Sequence, residues 1–486
     1  MTHTVNLVDR GRYLDSVALM RVSRRVAALQ GVEEASLMMA SPSNKALLLD
    51  ASLLVATGQD AGANDLIIAV RAGTAAQAEA AMAAAQGFLS EKAQSAASSS
   101  LRARSLGGAH GLLPDANLVL ISLPGEYAAG EARAALERGL HVLMFSDNVS
   151  IEDEVSLKGL AHERGLLLMG PDCGTALIAG VPIAFANAVP RGSVGIVSAS
   201  GTGLQEVSCL LARAGAGVSH GIGVGGRDLD ARVGALATLD ALDALGRDAA
   251  TKTIVLISKP PARDVAVRVL ERVAAIGKPC VICFLGVDKL AVPANAQLAR
   301  TLQEAAALAL GTSAPLQGNN VAPPLAKQSG SVRGLFCGGT LCAEAQIVFL
   351  DAGLEVSSNA AVPGASDQAK HVFLDLGDDE YTQGRPHPML EPEIRNDHVR
   401  AALAAPDTGV LLVDLVIGYG AHDNPAGVLV QALGAAEGRV PVVASITGTD
   451  GDPQGHARQA QLLRAAGVWV AASNAQAAQW AAAMVS

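Results

Sequence analysis

Residues 195–207 read GIVSASGTGLQEV. The β-branched run Gly195-Ile196-Val197 enters a turn of six small residues, Ser198 to Gly203, and an apolar segment of helical period follows from Leu204 to Ala214. Strand, small-residue turn, helix is how an α/β protein offers backbone N–H groups to an anion. Outward from this stretch the same alternation recurs. "NLVLISLP", "HVLMFS" and "LLLMGPDCG" precede it; "GVSHGIGVGG", "TIVLISKP" and "PCVICFLG" follow it. Continuous apolar strands separated by helical patterns predict parallel sheets covered on both faces.

The turn has a second copy. "GTGLQE…AG…V" (201–206, 214–215, 218) aligns without gaps to "GTLCAE…AG…V" (339–344, 352–353, 356), at a constant offset of 138 residues. Two related domains follow from this, and if they face each other, two helix N-termini aim at one point. One such terminus carries about half a positive charge and a few unsatisfied N–H groups. Two would hold a phosphoryl group without arginine, which makes Ser198, Ser200, Gly201, Thr202, Gly203, Gly338, Gly339 and Thr340 the expected phosphate-binding residues. The plainer reading of Ser200, Thr202 and Thr340 is helix capping, with Glu206 and Glu344 favoured by the dipole of a first turn.

The chain is organised around this pair. Residues 1–105 alternate strand patterns ("HTVNLVD", "EEASLMM", "DLIIAVR") with helical ones and predict a small α+β domain of ferredoxin-like type. The expected division continues with 112–188 as a truncated Rossmann-like domain, 189–311 and 331–486 as two flavodoxin-like domains, and 312–330, rich in Pro, Asn, Gln and Gly, as a linker.

With 486 residues there is length for several cores. A net charge of −10 argues against nucleic acid or an anionic membrane as partner. The mean hydropathy of +0.32 reflects alanine, because charges or turn residues interrupt each apolar stretch before it could span a bilayer. No secretory signal is visible at the N-terminus, so a reduced, cytoplasmic protein is expected. The six cysteines fit that expectation: Cys280 and Cys283 sit in a buried strand pattern and read as core residues. No metal-ligand spacing stands out.

Further candidates lie at strand ends, where ligands of α/β proteins gather. Lys259 follows "TIVLIS". Gly225, Gly226 and Arg227 follow another strand. In "LDLGDDEYTQGRPHPMLEP" (374–392), Asp375, Asp378, Asp379, Arg385 and His387 crowd after a strand. Arg385 suits a carboxylate or phosphate, and His387 acid–base or nucleophilic work. His422, Asp423, Thr449, Asp450 and Asp452 end two later strands.

"LLLMGPDCGTALIAG" and "GSVGIVSASGT" resemble the α subunit of succinyl-CoA synthetase and its NDP-forming acyl-CoA ligase relatives. "FCGGTLCAEA" and "VPVVASITGTD" resemble the carboxy-terminal domain of that enzyme's β subunit. The N-terminal "YLDSVALMRVSRRVAALQGVEEASLMMASPSNKALL" together with "GRPHPMLEP" is most similar to the FdrA proteins, over essentially the whole chain. In the ligases the two helix N-termini share a phosphohistidine, carried on a Gly-His-Ala-Gly segment. Here the corresponding place, 287–297, has no histidine, and Ser258-Lys259-Pro260 stands where the ligase glutamate would. The glycine-rich CoA loop and an ATP-grasp domain are missing too.

The resemblance to FdrA implies a subunit of an oxamate carbamoyltransferase, converting oxalurate and phosphate to oxamate and carbamoyl phosphate in ureide catabolism. It implies phosphate or an acyl phosphate as substrate, no resident cofactor, partner subunits and a homo-oligomer. Lys259, Arg385 and His387 are then the catalytic candidates. Two other readings stand beside it: an ADP-forming acyl-CoA ligase served by a separate ATP-grasp subunit, and a non-catalytic metabolite-binding scaffold.

Overall fold

In the computed structural model the described residues are 2–12, 14, 16–95, 103–287, 289–312, 327–382, 387–434 and 440–486. Most of the expected linker and Arg385 lie outside them. The described residues fall into two compact units. One runs to Ala116 and includes Ser122–Tyr127; the other comprises Asn117–Ile121, Ala128–Thr382 and His387–Ser486.

The first unit is built on β1 (His3–Asp9), β2 (Val32–Met39) and β3 (Leu66–Ala72), antiparallel in the order β1-β3-β2. Successive side chains of a strand face opposite sides, and β3 uses both. Leu66, Ile68 and Val70 pack with Leu19, Val22 and Val26 of helix Ser16–Ala27 and with Ala81, Ala85 and Leu89 of helix Ala75–Ser95. Ile67 and Ala69 pack on the opposite side with Leu48 and Leu53. The strand order is that of a ferredoxin-like layer with three strands, as expected. Short helices Pro42–Asp50 and Ala56–Gln59 replace the tight β2–β3 hairpin.

The second unit holds three sheets. β4 (Leu118–Ile121), β5 (His141–Met144) and β6 (Leu168–Met169) form a small parallel sheet in that order. The next seven strands are β7 (Thr175–Ile178), β8 (Val181–Ala184), β9 (Arg191–Ser198), β10 (Val218–Gly223), β11 (Thr253–Ser258), β12 (Cys280–Phe284) and β13 (Ala296–Leu298). They order as β13-β12-β11-β9-β10-β7-β8, parallel from β13 to β10, with the β7–β8 hairpin added antiparallel at the edge. The last sheet, all parallel, has β14 (Ser331–Phe336), β15 (Val356–Ser358), β16 (His371–Asp375), β17 (Thr408–Val416), β18 (Val442–Thr447) and β19 (Trp469–Val470), in the order β15-β16-β14-β17-β18-β19.

In each large sheet the strand that carries the repeat is followed directly by its helix, Gly201–Arg213 after β9 and Gly339–Asp351 after β14. These are called the 201 helix and the 339 helix below. The doubly wound order, with later strands stepping away on one side, is that of flavodoxin-like domains. Between the two lobes the apolar core is continuous. Leu204, Val207 and Leu211 of the 201 helix, Leu341, Cys342 and Ala345 of the 339 helix, and Ala475 and Ala478 near the C-terminus belong to one buried cluster. The 201 and 339 helices are therefore the central pair of the unit, not peripheral layers. Cys280 and Cys283 are buried on β12, where burial pushes both thiols up, Cys280 to about 11. No described helix is long and apolar enough to cross a membrane.

Candidate functional site

The two repeated turns are held differently at their own ends. Ser198 Oγ donates to Ser200 O at 2.7 Å and accepts from Ser200 N at 3.1 Å, tightening the chain as β9 ends. Ser200 is the N-cap of the 201 helix, its Oγ accepting from Gly203 N at 2.9 Å. In the second copy the N-cap is Gly338, which has no side chain to do this. Asp414, near the C-terminal end of the fully buried β17, holds that turn instead, accepting from Cys337 N at 2.7 Å and Gly338 N at 3.0 Å.

The two helix starts meet. Ser200 Oγ and Thr340 Oγ1 lie 2.5 Å apart, and a Cβ at Gly338 would stand 3.0 Å from Thr202 Cγ2. The 138-residue offset makes Ser200 equivalent to Gly338 and Thr202 to Thr340. Each contact is thus the N-cap of one helix against the threonine of the other, as a pseudo-twofold pair requires. A side chain at Gly338 would press on Thr202 and Leu341, so the close approach favours glycine there.

The repeated glutamates act across the same axis. Glu206 accepts from Asn474 N at 3.1 Å and from Thr447 Oγ1 at 2.5 Å. Glu344 accepts from Leu302 N at 2.6 Å and from Asn474 Nδ2 at 2.7 Å. Leu302 opens helix Leu302–Ala309 and Asn474 opens helix Asn474–Val485. Each lobe's glutamate therefore caps the last helix of the other lobe, satisfying N–H groups that a helix start leaves open. This corrects the first-turn dipole expectation: neither helix has an acid in its own first turn. Burial raises both carboxyls, Glu344 to about 7 with the charge of Glu206 adding to the shift.

Around the meeting point stand groups from two further strand ends and the loop after the second. Lys259, exposed just after β11, is near enough to lower the carboxyl of Asp375 at the end of β16. Asp375 is only 5% exposed. Its Oδ1 accepts from Gly377 N at 3.0 Å, and its Oδ2 lies over Gly339, where a Cβ would collide with it. Burial dominates and pushes Asp375 up to about 6, with the charges of Asp414 and Asp378 adding. His387 stands on the other side of Gly377. From the place a Gly377 Cβ would take, His387 Nε2 is 2.6 Å, Cys337 O 2.9 Å and Asp375 Oδ1 3.2 Å away. His387 Nδ1 accepts from Met389 N at 3.2 Å, so the neutral ring carries its proton on Nε2. Burial lowers this histidine to about 4.

The rest of the expected site divides. Gly225, at φ +86°, joins Ser198–Gly201 and Asp172–Thr175 in lining a narrow cleft at the start of the 201 helix. Gly226 lies beside it, a Cβ there standing 3.9 Å from Ala199 O. Arg227 turns away, its Nη2 2.8 Å from Glu154 Oε2 and from Val149 O. His422 accepts from Asn424 N at 3.0 Å through Nδ1. Thr449 donates to Ala188 O at 2.8 Å. Asp450 accepts from Ala457 N at 2.6 Å, in the first turn of helix His456–Ala465. Asp452 receives Asn187 Nδ2, Ala188 N and Thr449 N at 2.7–2.8 Å, tying the segment before β9 to the end of β18. These contacts fasten the scaffold rather than face the helix starts.

The sequence does not single out Asp414 or the Asp172–Thr175 wall, and it shows Asp375 only as part of an acidic run. The signal for Asp414 was present, a single carboxylate in the apolar stretch "GVLLVDLVIG".

A family model described as CoA-ligase matches residues 335–484, and one described as AllF, heavy metal-associated domain, matches residues 1–104. The latter segment contains no cysteine, and among the described residues no three His, Cys, Asp or Glu side chains group as a metal site. The chain is similar to YahF of Escherichia coli K12, 42% identical over 496 residues and covering 96% of each chain. It is 29% identical over 171 residues to succinate–CoA ligase [ADP-forming] subunit alpha 2 of Archaeoglobus fulgidus, covering 34% of this chain and 58% of that one. Among solved structures, PH0766 of Pyrococcus horikoshii matches with 17% identity and a TM-score of 0.36, over 80% of this chain and 87% of that one.

Proposed function

This chain belongs to the FdrA-type family of Escherichia coli YahF, built with a CoA-ligase module like that of succinyl-CoA synthetase, and on that premise we propose that it binds phosphate or an acyl phosphate between the starts of the 201 and 339 helices and serves carbamoyl transfer. The observation that carries the reading is the meeting of those starts at Ser200 and Thr340, 2.5 Å apart. Two N-termini contribute about one positive charge and several N–H donors at one place, with Lys259 near Asp375 at the margin.

The reaction is phosphorolysis of oxalurate. A phosphate oxygen attacks the carbamoyl carbon, and the oxyanion that develops there is met by fixed backbone N–H groups. The C–N bond then breaks to leave oxamate and carbamoyl phosphate. Lys259 offsets charge at the phosphate, and Arg385, which lies outside the described residues, is assigned to the substrate carboxylate. No group in this scheme needs CoA or a phosphohistidine, in keeping with a neutral His387 whose Nε2 faces Gly377.

The sequence likeness to succinate–CoA ligase subunits supports a second reading, an acyl-CoA ligase working with an ATP-grasp partner. The two are separated by one experiment on the protein isolated with its co-purifying subunits. Oxalurate and phosphate are supplied in one arm; succinate, ATP and CoA in the other. Carbamoyl phosphate in the first arm alone supports the proposal. Succinyl-CoA in the second, with acid-labile label on a histidine from labelled ATP, overturns it. Product in neither arm, with no phosphate binding, leaves the scaffold reading.

A further inference from the structure

We propose that Asp375 is the proton carrier of this site: an anion is held at the start of the 339 helix only when the Asp375 carboxyl is protonated, and that proton goes to the departing nitrogen of the carbamoyl donor. The inference rests on the phosphate-binding reading above and names a further catalytic group within it. Its ground is position. Asp375 Oδ2 lies over Gly339, the first residue of the 339 helix, in the space an anion would take to reach the open N–H groups there. The residue is only 5% exposed and Oδ2 accepts no hydrogen bond from a described residue, whereas Oδ1 is fixed by Gly377 N at 3.0 Å. A carboxylate in that place repels a phosphate dianion; a carboxylic acid donates a hydrogen bond to it.

The neighbouring charges do not remove the conflict. Asp414, on β17, is occupied by Cys337 N, Gly338 N and Arg395 Nη1. Asp378 adds negative charge from the same loop as Asp375, and Lys259 adds positive charge from the end of β11. His387 is kept neutral by burial, and the thiols of Cys337 and Cys342 are kept protonated by it. Asp375 is thus the group at the helix start that is free to take up a proton, and burial already raises it to about 6.

The chemistry closes on that proton. Phosphate enters as the monohydrogen dianion and its oxygen forms a C–O bond to the carbamoyl carbon. As the C–N bond breaks, the leaving nitrogen takes the proton of Asp375, and the proton of the attacking phosphate passes to Asp375 and restores it. No other reactant is consumed.

The test is calorimetric titration of the full-length protein with sulfate, whose two charges do not change between pH 5 and 8, and with inorganic phosphate. Runs in buffers of different ionisation enthalpy count protons. The wild type is expected to take up close to one proton on binding sulfate at pH 7.5. Its affinity is expected to fall about tenfold per pH unit above 6. Asp375→Asn keeps the acceptor for Gly377 N and should bind sulfate without proton uptake, about 100-fold more tightly than the wild type at pH 8, while its carbamoyl phosphate turnover is lost. Phosphate or sulfate binding by the wild type with no proton uptake overturns the role of Asp375 and leaves the anion site standing. No binding of either ion by wild type or variant overturns the anion site itself. The proton count on the unaltered protein keeps the test valid if the variant does not fold.

Discussion

Replacing Glu344 by glutamine tests the cross-lobe glutamate arrangement through stability rather than activity. In the folded chain this carboxyl is raised to about 7, against 4.5 for an ordinary glutamate, by burial and by the charge of Glu206. A carboxyl raised on folding contributes stability that is fully present below its unfolded value and is lost as pH rises through the window from 4.5 to about 7. At about 1.4 kcal/mol per unit, that window is worth on the order of 3 kcal/mol, or roughly 6 °C of Tm for domains of this size. Glutamine cannot titrate. Its oxygen can still accept from Leu302 N, but its amide then faces Asn474 Nδ2, a donor against a donor, costing about 1–3 kcal/mol at every pH. The assay is thermal unfolding of both proteins from pH 4.5 to 8 at fixed ionic strength, read as the difference in Tm. Subtraction is needed because other groups contribute to both curves. Glu206, Asp375 and Asp414 are raised and slope the same way, whereas His387 and His456, lowered to about 4 by burial, add stability as pH rises toward 6.5. The variant should start less stable, and the gap should close by about 6 °C by pH 7. Parallel curves would refute the assignment of Glu344 as a titrating cap.

Two further substitutions separate the helix starts from the scaffold. Gly377→Ala forces a methyl between His387 Nε2, Cys337 O and Asp375; phosphate affinity should fall at least tenfold with the far-UV circular dichroism unchanged, as titration calorimetry will show. Arg227→Ala removes a cation from the buried Glu154 and a donor from Val149 O; it should lower Tm by a few degrees, about 1 kcal/mol, and leave phosphate affinity where it was.

The parallel α/β architecture was legible because its strands are long apolar runs with the repeat turn at fixed offset. β17, buried along all nine residues, is the clearest of them. The β7–β8 hairpin was not. Its turn is Ala179-Gly180, both at positive φ, and an alanine at the first position hides the Asn-Gly signature such turns normally show. β15, three residues long, was equally silent, and its neighbour β16 enters between it and β14. At the site, sequence periodicity identified the small-residue turns, since the repeat itself demanded them. The repeat also exposed Glu206 and Glu344, but not what they do, because each caps a helix of the other lobe, 268 residues away for Glu206 and 42 for Glu344. Arg227 and Thr449 look like site residues for their place after strands; their partners, on distant segments, are visible only in three dimensions, whereas Asp450 caps the helix seven residues on.

An anion between the starts of the 201 and 339 helices can be seen crystallographically. Anomalous diffraction from crystals soaked in arsenate locates it directly. One strong peak is expected within about 4 Å of backbone nitrogens from both turns, the distance of an arsenic atom whose oxygens accept N–H hydrogen bonds, Gly201 or Thr202 on one side and Gly339 or Thr340 on the other. A peak confined to another strand end, or none at a concentration that saturates binding in solution, would contradict it.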